Sequence, residues 1–163
     1  MKRACLLPFL LILFLSACKE DEEVEPSVPF PNDNLPIKEQ LQGRWINHLR
    51  IDNFYNLEGE VIRTDSAGVG VIHEFKGNKM DISYANGERV ASLMYSLPDT
   101  STAEKDYIVF LKDGKVQDYY QITTLNDTSM VWELTVDWAG YVDENGDTIT
   151  TRKGVYTYEF KRD

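Results

Sequence analysis

The side chains best suited to acid–base chemistry are two histidines and one pair of carboxylates. His48 and His73 lie on different predicted strands, and a single inward histidine is more often a packed core residue than a catalytic base. Glu133 and Asp137 share one face of a predicted strand, but four residues of strand separate their backbones by about 13 Å. Paired glycosidase carboxyls lie about 5 to 9.5 Å apart. The chain also contains no Gly-x-Ser-x-Gly elbow and no His-Glu-x-x-His zinc pair, so the sequence predicts a protein that is not an enzyme.

A calcium loop is suggested by the segment "DENGD", in which Asp143, Asn145 and Asp147 occupy alternate positions. The glycine at the sixth position and the glutamate at the twelfth position of such a loop are missing. An Asn-Gly pair at the centre of an alternating segment is typical of a hairpin tip. We therefore expect a hairpin here, with no metal site and no cofactor.

Aromatic side chains are the main indication of binding. The chain has nine tyrosines and three tryptophans, and aromatic faces with a few hydroxyls suit an apolar or amphiphilic small molecule. Five of these rings lie on predicted strands where they could line a cup: Tyr95, Tyr107, Tyr119, Tyr120 and Trp138. Alternatively, the rings are simply core and surface residues, because strands favour aromatics. The domain would then be a structural or interaction module that contacts a protein or glycan through its loops or outer surface.

The start of the chain has the layout of a secretory signal. Lys2 and Arg3 precede the apolar block "CLLPFLLILFL", which is followed by the small residues Ser16 and Ala17. The block is too short to span a bilayer, which takes roughly 20 apolar residues. We expect residues 1–17 to be removed as a signal peptide.

Leu15-Ser16-Ala17-Cys18 resembles the bacterial lipobox. This resemblance implies that the Cys18 sulfur receives a diacylglyceryl group and that the signal peptide is cleaved immediately before it. Because each buried methylene contributes about 0.8 kcal/mol, two or three acyl chains anchor a protein firmly to a membrane. The alternative is an ordinary signal peptide followed by a chance cysteine.

The run "KEDEE", residues 19–23, follows the cysteine directly. It resembles the export signal that sends some lipoproteins of Gram-negative bacteria to the outer face of the outer membrane. The resemblance implies exposure at the cell surface. The alternative is a solvated tether, as charge runs usually are, on a lipoprotein that faces the periplasm.

Residues 18–36 form a predicted linker between the membrane anchor and the folded part of the chain. They contain four prolines, six carboxylates and one lysine, a composition that cannot bury enough apolar surface to fold. Removing residues 1–17 changes the formal charge from −10 to −12, because that segment carries two basic and no acidic residues. An acidic surface repels phosphate backbones, so we expect no nucleic-acid partner. Residues 37–163 are expected to form one monomeric domain without disulfides.

Turn dipeptides divide this domain into strands. Gly77-Asn78, Asn86-Gly87, Asp113-Gly114 and Asn145-Gly146 accept positive φ and lie between alternating segments. A short helical turn is predicted at 37–43 and a polar loop at 98–105. Eight antiparallel strands are predicted, at 43–51, 68–75, 79–85, 89–97, 106–111, 115–124, 129–141 and 148–162.

An eight-stranded meander predicts an all-β, up-and-down barrel, because closure removes exposed sheet edges. Such a barrel has room for packed side chains or for one small ligand. Alternation assigns the following residues to its interior: Trp45, Leu49, Ile51, Val69, Val71, Phe75, Met80, Ile82, Tyr84, Leu93, Tyr95, Leu97, Met130, Trp132, Leu134, Val136, Tyr156, Tyr158 and Phe160.

Gly43-Arg44-Trp45, at the start of the first strand, is similar to the Gly-x-Trp signature of lipocalins. In that family the tryptophan plugs the closed end of the barrel and an arginine near the end of the last strand stacks on it. The resemblance implies that Gly43, Trp45 and Arg162 close the barrel here and that the domain is lipocalin-like. The chain departs from the family by having "TTLNDTS" where the Thr-Asp-Tyr motif is expected and by having no helix after the last strand.

Overall fold

The computed structural model describes residues 35–98 and 105–163. The predicted signal peptide, Cys18, the acidic run and most of the linker lie outside the described residues, as do residues 99–104 of the predicted loop. The first element, helix α1 (Leu35–Leu41), begins two residues before the predicted start of the domain. Pro36 occupies its first turn, where the missing N–H costs no intrahelical hydrogen bond.

Eleven strands follow α1 in the part of the chain that the structure describes. They are β1 (Gly43–Tyr55), β2 (Val61–Ala67), β3 (Val71–Lys76), β4 (Lys79–Ser83), β5 (Arg89–Ser96), β6 (Asp106–Lys112), β7 (Lys115–Leu125), β8 (Ser129–Asp137), β9 (Gly140–Val142), β10 (Thr148–Thr150) and β11 (Lys153–Arg162).

Eight of these strands form a closed antiparallel ring. The order around it is β1, β3, β4, β5, β6, β7, β8 and β11, and β11 pairs with β1 to complete the circuit. These are the eight predicted strands, so the antiparallel all-β fold and the number of strands in the ring are confirmed. Closure leaves no long free edge between neighbours in the ring.

The hairpin of β1 and β2 was not predicted, and the predicted hairpin at Asn145-Gly146 forms a sheet of its own. β1 continues to Tyr55 and pairs with β2, which lies outside the ring. The predicted strands 129–141 and 148–162 each divide, and β9 and β10 form a separate two-stranded sheet. Trp138 has φ of 56°, a left-handed conformation that interrupts an extended strand. The prediction of two long uninterrupted strands was therefore wrong at both places.

The turn dipeptides lie where the sequence analysis placed them. Gly77-Asn78, Asn86-Gly87 and Asp113-Gly114 connect successive strands of the ring, and Asn145-Gly146 lies between β9 and β10. The φ values of Gly77, Gly87, Asp113, Gly114 and Gly146 are all positive, between 52° and 88°. These turns are the local cause of the meander.

The core lies inside the ring. Its buried members include one residue of α1 and side chains from every strand of the ring: Leu41, Trp45, Phe75, Met80, Tyr95, Leu97, Ile108, Phe110, Ile122, Met130, Trp132 and Phe160. Val69 and Tyr84, which were assigned to the interior, are instead 39% and 48% exposed. Both lie outside the ordered strands, where alternation no longer determines the direction of a side chain.

A β-bulge at His48 reverses the inward and outward faces of β1. Asn47 pairs with Phe160 and Leu49 pairs with Glu159, so His48 has no partner on β11. Beyond the bulge, Arg50 and Asp52 lie opposite the inward residues Tyr158 and Tyr156. The assignment of Leu49 and Ile51 to the interior was therefore wrong, because one extra residue exchanges the two faces of a strand.

Candidate functional site

Trp45 and Arg162 lie together at one end of the ring, which we call the closed end. Trp45 is completely buried, and its indole Nε1–H donates a hydrogen bond to the Leu41 carbonyl at 2.8 Å. The Arg162 guanidinium carbon lies 4.2 Å from the centre of the Trp45 ring, within the range of a cation–π contact. The same guanidinium donates to the carbonyls of Gln40, Gln42 and Asp127 at 2.6, 2.8 and 2.9 Å. It thereby ties the end of α1 and the β7–β8 turn to the last strand.

Gly43 allows this arrangement in two ways. Its φ is 103°, which L residues with a side chain rarely adopt. A Cβ at this position would also lie 3.1 Å from a terminal nitrogen of Arg162. The three residues of the Gly-x-Trp and arginine pattern therefore meet at one point of the fold.

A cavity of about 170 Å³ lies inside the ring. We call it the interior cavity. Six apolar side chains line it: Met80, Ile82, Leu93, Phe110, Trp132 and Phe160. Four polar side chains complete the lining: His73, Asp118, Tyr120 and Tyr158. The arrangement is that of a small ligand site, mostly apolar with a few polar groups.

The indole of Trp132 is the centre of the cavity wall. Its ring lies 4.5 Å from Phe160, 5.5 Å from Phe110 and 5.7 Å from Tyr120, measured between ring centroids. The side chain is only 3% exposed, and its Nε1–H finds no hydrogen-bond partner within the described ranges. A buried donor without a partner costs about 1 to 3 kcal/mol, so an acceptor atom that reached this N–H would gain a stabilising hydrogen bond.

Two tyrosines place hydroxyl groups in the same cavity. The rings of Tyr120 and Tyr158 meet edge to face with centroids 5.5 Å apart. Burial raises the pKa of Tyr120 far above its ordinary value, and the neighbouring Tyr158 raises it further. Burial also raises the pKa of Tyr158, although the positive charge of Arg50 opposes this shift. Both hydroxyls therefore remain neutral hydrogen-bonding groups at physiological pH.

His73 lines the cavity and contacts two aromatic rings. Its imidazole meets Phe160 and Trp132 edge to face, with centroid distances of 5.1 and 6.0 Å. Burial lowers the pKa of His73 from 6.5 to about 4, and the backbone of Val71 only partly offsets this effect. The imidazole is therefore neutral at physiological pH.

The buried histidine predicts a loss of stability in mild acid. The unfolded chain binds a proton at His73 below pH 6.5, whereas the folded protein does so only near pH 4, so stability is complete above pH 6.5 and falls as the pH is lowered. Between pH 6.5 and 5 we expect the free energy of unfolding to drop by about 2 kcal/mol from this group. In His73→Phe this contribution should disappear. Urea denaturation at both pH values measures the difference.

His48→Gln is the matched control for that comparison. His48 is partly exposed and lies 3.8 Å from Glu159, away from the cavity lining. This variant should retain the acid-dependent loss that His73 causes. If wild type and His73→Phe lose equal stability between pH 6.5 and 5, His73 is not held neutral in the folded protein.

Polar residues lie on β1 beyond the His48 bulge, away from the closed end. Arg50 donates a 2.7 Å hydrogen bond to Asp52, which raises the pKa of Arg50. The guanidinium carbon of Arg50 also lies 5.4 and 5.5 Å from the ring centres of Tyr156 and Tyr158. A groove of about 200 Å³ lies between β1 and β2, lined by Arg50 and Asp52 and by residues 65–67. The interior cavity is the more enclosed and more apolar of the two sites.

The structure brings only part of the predicted aromatic set to the cavity. Tyr120 lines it. Tyr95 is buried in the core, where its hydroxyl donates to the Gly77 carbonyl at 2.7 Å and accepts from Gln42. Tyr107 and Tyr119 contact each other at 6.5 Å along β6 and β7, on the side opposite Ile108 and Phe110. Trp138 is 64% exposed beneath the Arg152 guanidinium.

Most residues that line the cavity were predicted to face inward, but only Tyr120 was predicted to bind a ligand. Trp132, Tyr158 and Phe160 were assigned to the interior but not to a binding site, and Phe110 and Asp118 were not singled out. Alternation was the only available signal, and it marks the inward face of each strand separately. Which inward residues surround a space depends on how eight strands are staggered around the ring.

The remaining candidate groups have structural explanations. Asp137 forms an ion pair with Arg152 at 2.8 Å on the outside of the ring. The Asp143 carboxylate accepts hydrogen bonds from the backbone N–H groups of Asn145 and Asp147, both at 2.9 Å, and the bond from Asp147 is the largest cause of its lowered pKa. This confirms the hairpin tip.

Within residues 35–98 and 105–163, no group of three or more His, Cys, Asp or Glu side chains could hold a metal ion. Likewise, none of the helices in this part of the chain is long and apolar enough to cross a membrane.

In comparisons with known proteins, no family model, no curated protein and no solved structure matches the chain.

Proposed function

We propose that this protein is a lipid-anchored lipoprotein of the outer membrane, exposed at the cell surface, whose lipocalin-like domain binds a small hydrophobic or amphiphilic ligand. The anchor rests on the lipobox-like segment that ends at Cys18, and surface exposure rests on the acidic run that follows it. Retention on the periplasmic face is the alternative location. The single observation that carries the binding function is the interior cavity, with the unpartnered indole N–H of Trp132 in its wall.

The lipocalin-like architecture is supported by three features of the ring. Eight antiparallel strands follow one another in a meander that closes through β1 and β11. Helix α1 immediately precedes the first strand. The guanidinium of Arg162 stacks on the buried Trp45 at one end. An up-and-down barrel of this kind holds its ligand between the closed end and the open end.

Binding without catalysis fits the chemistry of the cavity. A general base works best with a pKa near the operating pH, and burial lowers the pKa of His73 to about 4. The two tyrosine hydroxyls have raised pKa values and so remain protonated. These groups can orient a ligand through hydrogen bonds, but they are poorly suited to transferring protons at neutral pH.

A second candidate function is that of an interaction module. Val116 and Tyr119 on β7 are 61% and 54% exposed, and the Tyr119 ring contacts Tyr107 on the same outer face. Exposed apolar patches of this kind often mark contacts with other macromolecules. In this alternative the ring is a scaffold and β6 and β7 present the contact surface.

A substitution that fills the cavity should distinguish ligand binding from the interaction module. We expect Leu93→Phe to weaken binding of small apolar probes at least tenfold, because the larger ring occupies the space that Leu93 borders. The probes are 1-hexanol, decanoate and toluene, added to the mature chain carrying Cys18→Ser, which has no acyl chain of its own. Ligand-observed NMR measures each dissociation constant.

Val116→Phe is the matched control, since it adds the same ring to the exposed outer face of β7. It should bind every probe as the parent does. If no probe binds the parent, or if Leu93→Phe binds as well as Val116→Phe, the cavity is not a ligand site and the interaction module becomes the better proposal.

A further inference from the structure

The size of the interior cavity limits its ligand to a compact molecule. Its volume of about 170 Å³ lies below the range of roughly 300 to 1,000 Å³ found for drug-sized ligands. An apolar cavity of about 150 Å³ is known to accept benzene. A long acyl chain does not fit such a space, whereas a single aromatic ring with one small substituent does.

The cavity wall favours a neutral ligand over a charged one. Most of the lining is apolar, and an ion placed there loses its hydration. The Asp118 carboxylate borders the cavity and disfavours an anion. Trp132 packs against Phe160, Phe110 and Tyr120 with centroid distances of 4.5 to 5.7 Å, so these rings form one packed wall of the cavity and not the separate faces of an ammonium-binding cage.

The polar groups of the cavity wall favour a ligand that carries one hydrogen-bonding oxygen. The buried Nε1–H of Trp132 has no acceptor within the described ranges, and a ligand oxygen in the cavity would supply one. The tyrosine hydroxyls of the lining, Tyr120 and Tyr158, can accept a hydrogen bond from a ligand O–H. A hydroxyl group on the ligand can therefore accept a hydrogen bond from Trp132 and donate one to a tyrosine hydroxyl.

We infer that the interior cavity is a site for a neutral, single-ring aromatic molecule of the phenol type, whose oxygen accepts a hydrogen bond from Trp132. This inference rests on the proposed binding function and specifies the class of its ligand. The aromatic ring of the ligand packs against Phe110, Trp132 and Phe160, and its hydroxyl lies beside the indole nitrogen. Toluene has nearly the same shape as phenol but no oxygen, so it isolates the contribution of the hydroxyl.

The test compares phenol with toluene on the mature chain carrying Cys18→Ser. We expect phenol to bind roughly fivefold more tightly than toluene, because only phenol provides a partner for the buried N–H. In ¹H–¹⁵N NMR spectra, phenol should move the indole N–H signal of Trp132 downfield. The signals of Trp45, which already bonds the Leu41 carbonyl, and of the exposed Trp138 should not move.

Trp132→Phe retains an aromatic ring but removes the donor. In this variant phenol should lose its advantage over toluene. If that variant does not fold, the comparison of phenol with toluene and the shift of the Trp132 signal in the parent protein still decide the matter.

The outcomes distinguish the ligand class from the binding function. If phenol binds no better than toluene, or leaves the Trp132 signal unmoved, while hexanol or decanoate binds, the phenol-type class is wrong and the binding function stands. If none of the four probes binds, both the class and the binding function are wrong.

Discussion

Cys18→Ser is expected to abolish attachment to the membrane. The variant removes the sulfur that the lipobox-like segment implies as the site of acylation, so the protein should remain uncleaved or appear in the soluble fraction. The physical basis is the acyl anchor: at about 0.8 kcal/mol for each buried methylene, two or three chains bind essentially completely, and their loss leaves a polar, acidic linker with no affinity for lipid. Metabolic labelling with a fatty acid, followed by fractionation, measures both effects.

The chain provides a matched control for this experiment. Cys5 is its only other cysteine and lies in the apolar block of the signal. Cys5→Ser should be acylated, cleaved and anchored as the wild type is. Undiminished labelling of Cys18→Ser would contradict the lipoprotein proposal, whatever the fate of the domain.

Trp45→Ala should cause the largest loss of stability of any single substitution at the closed end. The side chain is completely buried and donates a hydrogen bond to Leu41, and truncating a large core aromatic costs about 3 to 5 kcal/mol. Arg162→Ala should cost less, about 1 to 2 kcal/mol, because the guanidinium is partly exposed and solvent screens its contacts. Urea denaturation measures the free energy of unfolding of each variant.

The two effects should not add. Arg162 stacks on Trp45 at 4.2 Å, so each truncation removes the shared contact, and contacting residues typically show a coupling of about 0.5 kcal/mol or more. Arg44→Ala is the control, since the Arg44 side chain forms an exposed ion pair with Asp163 and its loss should change stability by about 0.5 kcal/mol or less. Strict additivity of Trp45→Ala and Arg162→Ala would mean that the stack does not stabilise the closed end.

Features encoded by neighbouring residues were predictable from the sequence. Each turn dipeptide marks a hairpin because Asn-Gly, Asp-Gly and Gly-Asn adopt positive φ at little cost. Alternation between turns then defines a strand and its apolar face. β2 was missed because its segment, "VIRTDSA", is mostly polar and exposed, and such a strand carries no alternating apolar signal.

The positions of residues across the ring were not predictable in the same way. The bulge at His48 depends on how β1 pairs with β11, and no local sequence pattern predicts it. Its consequence is large, since it places Arg50 and Asp52 on the inner face where Leu49 and Ile51 were expected. The left-handed conformation of Trp138 likewise divides residues 129–141, which were predicted to form one strand.

The sequence alone therefore determined the antiparallel meander, its eight ring strands and most of its inward residues, because turns and alternation are local properties of the chain. The tertiary structure decided which inward side chains surround the cavity. Tyr120 lies there while Tyr119, its neighbour in sequence, is exposed. Trp132 on β8 reaches His73 and Phe75 on β3 only because the ring closes. Cavity shape depends on the stagger of distant strands and on bulges, and these are set by the packing of the whole domain.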